Sequence, residues 1–218
     1  YDESDLVKEF DLEGKLETQA TYGNLQLGDE GSRRFIQSGY RFYERDGERF
    51  VVIVSQDQDG DQRIVYITTQ EGRGLELLDE LEEDFYANGP LNGAFIDMDY
   101  NFIKRSEMVD ELLAWNPTIR KQLEKDVLDF LELMPILYER GLPNSRGIIL
   151  SGAPGTGKTM YAKSIAAEAA TTTILISAEM IRQRHDIKST FKLARKLAPT
   201  LIIIEDIDTA GTVSRKFT

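Results

Sequence analysis

The sequence predicts an α/β fold built on a parallel sheet and preceded by a smaller α+β domain, and three observations carry that reading. Residues Gly152 to Thr159 read GAPGTGKT, which meets the pattern G-x-x-x-x-G-K-[ST] at every position. Two apolar runs, Gly147-Ile148-Ile149-Leu150 and Leu201-Ile202-Ile203-Ile204, have the length and unbroken hydrophobicity of strands covered on both faces. Charge divides the chain. Residues 1–100 carry 24 acids against 9 bases, and residues 101–218 carry 14 against 17. Two domains are therefore expected, 1–103 and 104–218.

The first 30 residues show weak periodicity, and only Leu6 to Phe10 suggests a helix. From Tyr40 the pattern changes to short β-type segments. Arg41-Phe42-Tyr43 and Arg49 to Val54 flank a turn at Arg45-Asp46-Gly47, and Arg63 to Thr68 follows a second turn at Asp57 to Asp61, which together read as an antiparallel meander. The alternating acids Asp57, Asp59 and Asp61 do not make a calcium loop, because Gly60 comes too early and the twelfth position is Thr68. Leu75 to Asp84 holds six acids, with Leu75, Leu78 and Leu81 at helical spacing, and Asn88-Gly89-Pro90 ends it. Ala94-Phe95-Ile96 and Tyr100 to Ile103 add one or two strands to this first domain.

In the second domain, Asn116-Pro117-Thr118 opens a helix with Ile119, Leu123, Val127 and Leu131 on one face; Pro135 starts a new helix or kinks this one, and Gly141 with Pro143 ends it. Lys158 to Ala170 suits a helix and Ile174-Leu175-Ile176 a strand. A basic helix then follows from Ile181 to Leu197, buried through Phe191, Ala194 and Leu197. Strands alternating with helices imply right-handed crossovers and a parallel sheet.

A strand, a glycine-rich loop and a helix in that order make an anion site. Gly152, Gly155 and Gly157 let the backbone wrap with its N–H groups inward, and the helix N-terminus adds its dipole. Nucleotide contacts are expected from Gly152, Ala153, Pro154, Gly155, Thr156, Gly157, Lys158, Thr159 and Met160. Lys158 reaches the β- and γ-phosphates, and the Thr159 hydroxyl binds Mg²⁺. Glu205 and Asp206 end the second apolar run, where open α/β sheets bind ligands. We assign Glu205 to the Mg²⁺ shell, partly through water, and Asp206 to the attacking water, so that Lys158, Glu205 and Asp206 form the catalytic set.

Composition narrows the class. With 41 % hydrophobic residues over 218 positions a sizeable core is available, and no apolar stretch approaches the roughly 20 residues of a membrane helix. Tyr1-Asp2-Glu3-Ser4-Asp5 does not read as an export signal, so a cytoplasmic protein is expected. Zero cysteines and the single His185 exclude disulfides, thiolate catalysis and the usual zinc sites. The acidic first half argues against nucleic acid as its ligand.

The order RGIIL, GAPGTGKT, KLAP, LIIIEDID resembles the AAA+ ATPases over about residues 105–218. The resemblance implies a P-loop NTPase fold, the AAA+ large subdomain, and a homo-oligomeric, hexameric ring that spends Mg·ATP on remodelling or chaperoning protein substrates. Two features narrow it: Glu205-Asp206 stands where common AAA+ unfoldases carry Asp-Glu, and Ser177 to Phe191 lacks their aromatic pore loop. Together with Tyr138-Glu139-Arg140-Gly141-Leu142-Pro143 they are similar to the mitochondrial AAA ATPases that translocate the Rieske iron–sulfur protein; a relative without their membrane anchor is the expectation. The sequence stops before the family's sensor residue, its trans-acting arginine and its lid subdomain, so the part seen here should bind ATP better than it turns it over. Residues 1–103 are read as the substrate or partner domain. Two other readings stay open: a nucleotide-gated assembly module with little hydrolysis, and a DNA-directed AAA+ ATPase.

Overall fold

The computed structural model describes residues 6–10, 20–56, 62–70, 72–105, 116–169, 171–177, 180–181 and 184–206. It divides into two compact units, Tyr1–Gly89 and Pro90–Thr218. The division falls before the expected boundary at residue 103. The reason is Phe95–Asp97, which pairs with the parallel sheet of the second unit rather than with the first sheet.

The first unit is a five-stranded antiparallel sheet with one helix. Strands β1 (Leu6–Phe10), β2 (Thr21–Gln26), β3 (Ser32–Arg45), β4 (Glu48–Gln56) and β5 (Gln62–Thr68) precede helix α1 (Arg73–Asn88). The order is β1-β3-β4-β5, with β2 also on β3. The expected meander is present. Asp46 and Gly47 turn it with φ of 49° and 80°, the two left-handed residues a tight hairpin requires. The second turn and the rejected calcium loop lie outside the described residues. Leu6–Phe10 is a strand rather than the expected helix, because its five residues complete the open edge of β3; a segment that short follows the tertiary partner, not its own propensity.

The core of this unit stacks Tyr43 on Phe50, with centroids 5.1 Å apart, under the fully buried Leu77. Val52, Tyr66 and Leu81 pack around them. Helix α1 therefore buries Leu77 and Leu81, an i,i+4 pair, and not the expected Leu75, Leu78 and Leu81 face. Leu75 is 76 % exposed and Leu78 47 %. Arg73 ties the helix to β4 through Glu48 at 3.1 Å and is itself steadied along α1 by Glu80 at 2.7 Å.

In the second unit, β6 (Phe95–Asp97), β7 (Thr172–Ile176) and β8 (Thr200–Ile204) form a parallel sheet in that order. Helices α2 (Pro117–Glu124), α3 (Phe130–Glu139), α4 (Lys158–Glu168) and α5 (Arg184–Lys196) complete it. A π-helical turn, Lys125–Asp129, joins α2 to α3 without a break, and α3 runs on through Pro135 instead of restarting there. Asn116 caps α2 as its sequence suggests, its Oδ1 accepting the N–H groups of Thr118 and Ile119. Ile119 is 54 % exposed, so the apolar face of this helical stretch starts only at Leu123. Of Tyr100 to Ile103, only Phe102 pairs, as a single bridge to Ile96.

All five residues of β7 are buried. Its threonines stay satisfied: Thr172 Oγ1 donates to the Leu91 carbonyl and accepts from the Gly93 N–H. Phe95, Ala166, Leu175 and Ile203 form the core under α4. Ala194 of α5 and Leu197 just beyond it are buried as expected, while Phe191, expected inside, is 39 % exposed and Thr190 takes the buried position beside it. The expected strand Gly147–Leu150 is absent, since residues 142–150 pair in no ladder among the described residues. Ile149 is 89 % exposed. Hydrophobicity marks a segment that gains from burial, but a strand also needs ladder hydrogen bonds, and among the described residues this segment makes none. Among the described residues no helix is long and apolar enough to cross a membrane.

Candidate nucleotide-binding site

Helix α4 organises the site from its first residue. Gly157 is its N-cap at φ 81°, and Gly155 has φ 75°; both sit in the left-handed region that a side chain resists, so the backbone reverses twice just before the helix begins. A Cβ on Gly152 would reach 3.4 Å from Thr156 Oγ1, so the start of the loop lies against its far side. The Thr156 hydroxyl donates to the Ala153 carbonyl at 2.9 Å and ties the loop across. Thr159 and Met160 are exposed in the first turn of α4, where N–H groups lack intrahelical partners.

Lys158 folds back over the loop and donates to the carbonyls of Gly152 and Ala153, each at 2.9 Å. Both acceptors are neutral. A phosphate oxygen is anionic and makes the stronger, charge-assisted bond to an ammonium. The residues thus suit phosphate: backbone donors, a helix N-terminus and one lysine converge on the cradle.

The second half of the site comes from β8. The Glu205 N–H donates to the Ile176 carbonyl at 2.9 Å, extending the parallel ladder one residue beyond the strand. Glu205 is thereby held half-buried, and Asp206 follows it, exposed, at φ 52°. A left-handed aspartate is a strained position tolerated by short polar side chains. Glu205 Oε1 is buried and makes no hydrogen bond, yet it lies 3.2 Å from Lys163 Nζ. The contact is close enough for charge attraction without hydrogen-bond alignment, which leaves the oxygen an acceptor position. That orphaned oxygen fits a water in a cation's shell. Among the described residues no three acidic or histidine side chains cluster to hold a metal by themselves, so Mg²⁺ would come with the nucleotide's phosphates.

Lys163 was not singled out from the sequence. Its signal is spacing: it stands four residues after Thr159, on the same stripe of α4. Through it the structure brings Glu205 to the helix that carries the loop. Two more residues fasten that helix. Tyr161 is buried and its hydroxyl donates to the Arg120 carbonyl at 3.4 Å; burial, with Glu124 adding to it, pushes its pKa up to about 12. Arg105 donates to the carbonyls of Ala166, Gly93 and Thr171, closing the C-terminal end of α4 onto β7.

Residues 148–217 match the family model "ATPase family associated with various cellular activities (AAA)". The chain is 35 % identical over 99 residues to the proteasome-activating nucleotidase of Methanocaldococcus jannaschii, covering 41 % of this chain and 23 % of that protein. The Methanopyrus kandleri protein of the same name is 36 % identical over 100 residues, 43 % of this chain and 22 % of the relative. Spastin of Xenopus tropicalis is 29 % identical over 117 residues, 46 % and 19 %. The chain spans about a fifth of the length of these curated relatives. Loop, lysine and strand-end acids fall within the matched span, so the chain carries an AAA-family domain, homologous to that of proteasome-activating nucleotidase and spastin, in an α/β parallel-sheet fold.

Proposed function

We propose that the chain binds Mg·ATP on the loop Gly152–Thr159 and, in a homo-oligomeric ring, couples its hydrolysis to the remodelling of protein substrates. One observation carries the reading: a single helix, α4, opens with Lys158 laid over the phosphate cradle and, one turn on, meets the half-buried Glu205. Lys158 exchanges its two carbonyl acceptors for the β- and γ-phosphate oxygens. Thr159 and Glu205 hold the cation, Glu205 partly through water. The cation neutralises charge on the phosphate oxygens when bound. Asp206, exposed beside it, orients and deprotonates water. An assembly module with little hydrolysis is the second reading, favoured by Lys163 already engaging Glu205; steady turnover by the intact oligomer excludes it.

The Glu205-Asp206 order supports the Rieske-translocase branch, and a hexamer follows from the family. The acidic first unit is assigned to substrates or partners, with proteins favoured over nucleic acid by its charge. Calorimetric titration of ATP tests the central claim: Lys158→Ala, which removes the motif's one cation, should weaken binding markedly and leave the melting temperature within about 2 °C, because the ammonium's only partners here are two exposed loop carbonyls at the helix start. Unchanged ATP affinity would refute the site.

A further inference from the structure

The first unit exposes two apolar surfaces of opposite electrostatic character. Strand register defines the first. Tyr40 stands opposite Ile53 and Ile53 opposite Val65, while Phe42 stands opposite Val51 and Val51 opposite Ile67. These six residues share the sheet face turned away from α1, whose own face holds Tyr43, Phe50 and Tyr66. Phe42, Val65 and Ile67 are 37 %, 49 % and 50 % exposed. On the same face lie Lys8, opposite Phe42; Arg49, paired with Glu44; and Arg63, opposite Ser55. Among the described residues this face thus carries three bases against one acid, on a unit that is strongly acidic.

The second surface is on α1. Because Leu77 and Leu81 take the sheet side, Leu75, Leu78 and Phe85 form a separate stripe at i, i+3 and i+10, the spacing of a helix seam, with Glu82 at i+7 and Asp79 beside it. Phe85 is 44 % exposed. This stripe is apolar and acidic. Pairing like with like would set α1 acids against α1 acids, or rim bases against rim bases, whereas pairing stripe to sheet face joins unlike charges over two apolar surfaces.

We propose that the first unit joins copies of this chain head to tail, the α1 stripe of one copy docking on the basic-rimmed sheet face of the next. Different patches meet in such a contact, which is the kind that closes into a ring. The inference rests on the ring reading above and adds to it: the acidic unit is part of the ring's scaffold, and the acids outside the stripe remain for clients.

The test uses the full protein with ATP, by analytical ultracentrifugation. Leu75→Lys/Leu78→Lys and Val65→Glu/Ile67→Glu should each weaken association at least about tenfold. An equimolar mixture of the two variants keeps one intact stripe and one intact face and sets the new lysines against the new glutamates, so it should associate again where neither variant does alone. The chain has no cysteine, so Leu78→Cys and Ile67→Cys supply a readout with little change in surface. A bismaleimide should cross-link a mixture of these two proteins, and neither alone. Self-cross-linking of Leu78→Cys alone would overturn the proposal in favour of a symmetric contact. Rings that ignore both charged pairs refute these surfaces and leave the ring standing; wild-type protein that stays monomeric refutes both. Monomers whose Val65→Glu/Ile67→Glu variant melts far lower would place another segment of the same chain on the sheet face.

Discussion

Removing Lys163 isolates the contact that joins the two halves of the site. Its Nζ lies 3.2 Å from Glu205 Oε1, with the two side chains 23 % and 14 % exposed. At an effective dielectric of about 20 the attraction at that distance is roughly 5 kcal/mol, and desolvation offsets most of it. A coupling of about 1–3 kcal/mol remains. Lys163→Met keeps the stem but strands a half-buried carboxylate, so we expect a loss of about 2 kcal/mol, or ~6 °C in the melting temperature. Glu205→Gln should cost less than about 1 kcal/mol, since a lysine stem can carry its ammonium to water. The double variant strands no charge and should be about 1 kcal/mol more stable than Lys163→Met alone. Calorimetric melting of the four proteins gives the coupling directly, and a value under ~0.3 kcal/mol would refute the reasoning. Added Mg·ADP should stabilise Lys163→Met more than wild type, because the ammonium no longer competes for Glu205.

Three other expectations follow from the same geometry. Asp206→Asn in the intact oligomer should keep ATP and lose turnover, while Glu205→Gln weakens Mg·ATP binding; steady-state rates beside titrations reveal whether the roles are exchanged. Leu77→Ala should destabilise the first unit by about 2–5 kcal/mol and Leu75→Ala by less than about 0.5, as read by denaturant melts, because only Leu77 leaves a cavity. Tyr161, neutral when protonated, has its folded pKa raised to about 12, so its contribution is complete below the unfolded value near 10 and is lost as pH rises through about 12. Tyr161→Phe should blunt that alkaline loss; an unchanged profile above pH 10 would remove Tyr161 as its source.

Elements whose ends are written in local chemistry were legible. Asn116 accepts two N–H groups at the start of α2, Asn88-Gly89 ends α1, and Asp46-Gly47 turns the β3–β4 hairpin. Each depends on a few adjacent residues, so sequence order suffices to find it. What a tertiary partner decides was not legible. The α1 sequence offers two apolar stripes, Leu77 with Leu81 and Leu75 with Leu78, and only the sheet beneath selects the first. Leu6–Phe10 becomes a strand for a comparable reason, the open edge of β3.

The site divides along the same line. Gly155, Gly157 and Lys158 act through the backbone conformation and reach of one loop, and their spacing alone announces them. Lys163 carries no such mark: a lysine on a helix is ordinarily solvated, and it becomes part of the site only because β8 delivers Glu205 to that stripe of α4. The Glu205 N–H bonded to the Ile176 carbonyl fixes where the carboxylate emerges, so the acid we propose for the cation's shell is aimed by a β7–β8 hydrogen bond between residues far apart in sequence. A substitution that loosens this end of the sheet, such as Ile176→Ala, would leave a cavity under the ladder and loosen the placement of Glu205 against Lys163 while leaving GAPGTGKT intact. On the proposed roles, phosphate binding by the loop would then outlast cation binding, which places that dependence in the sheet register rather than in the motif.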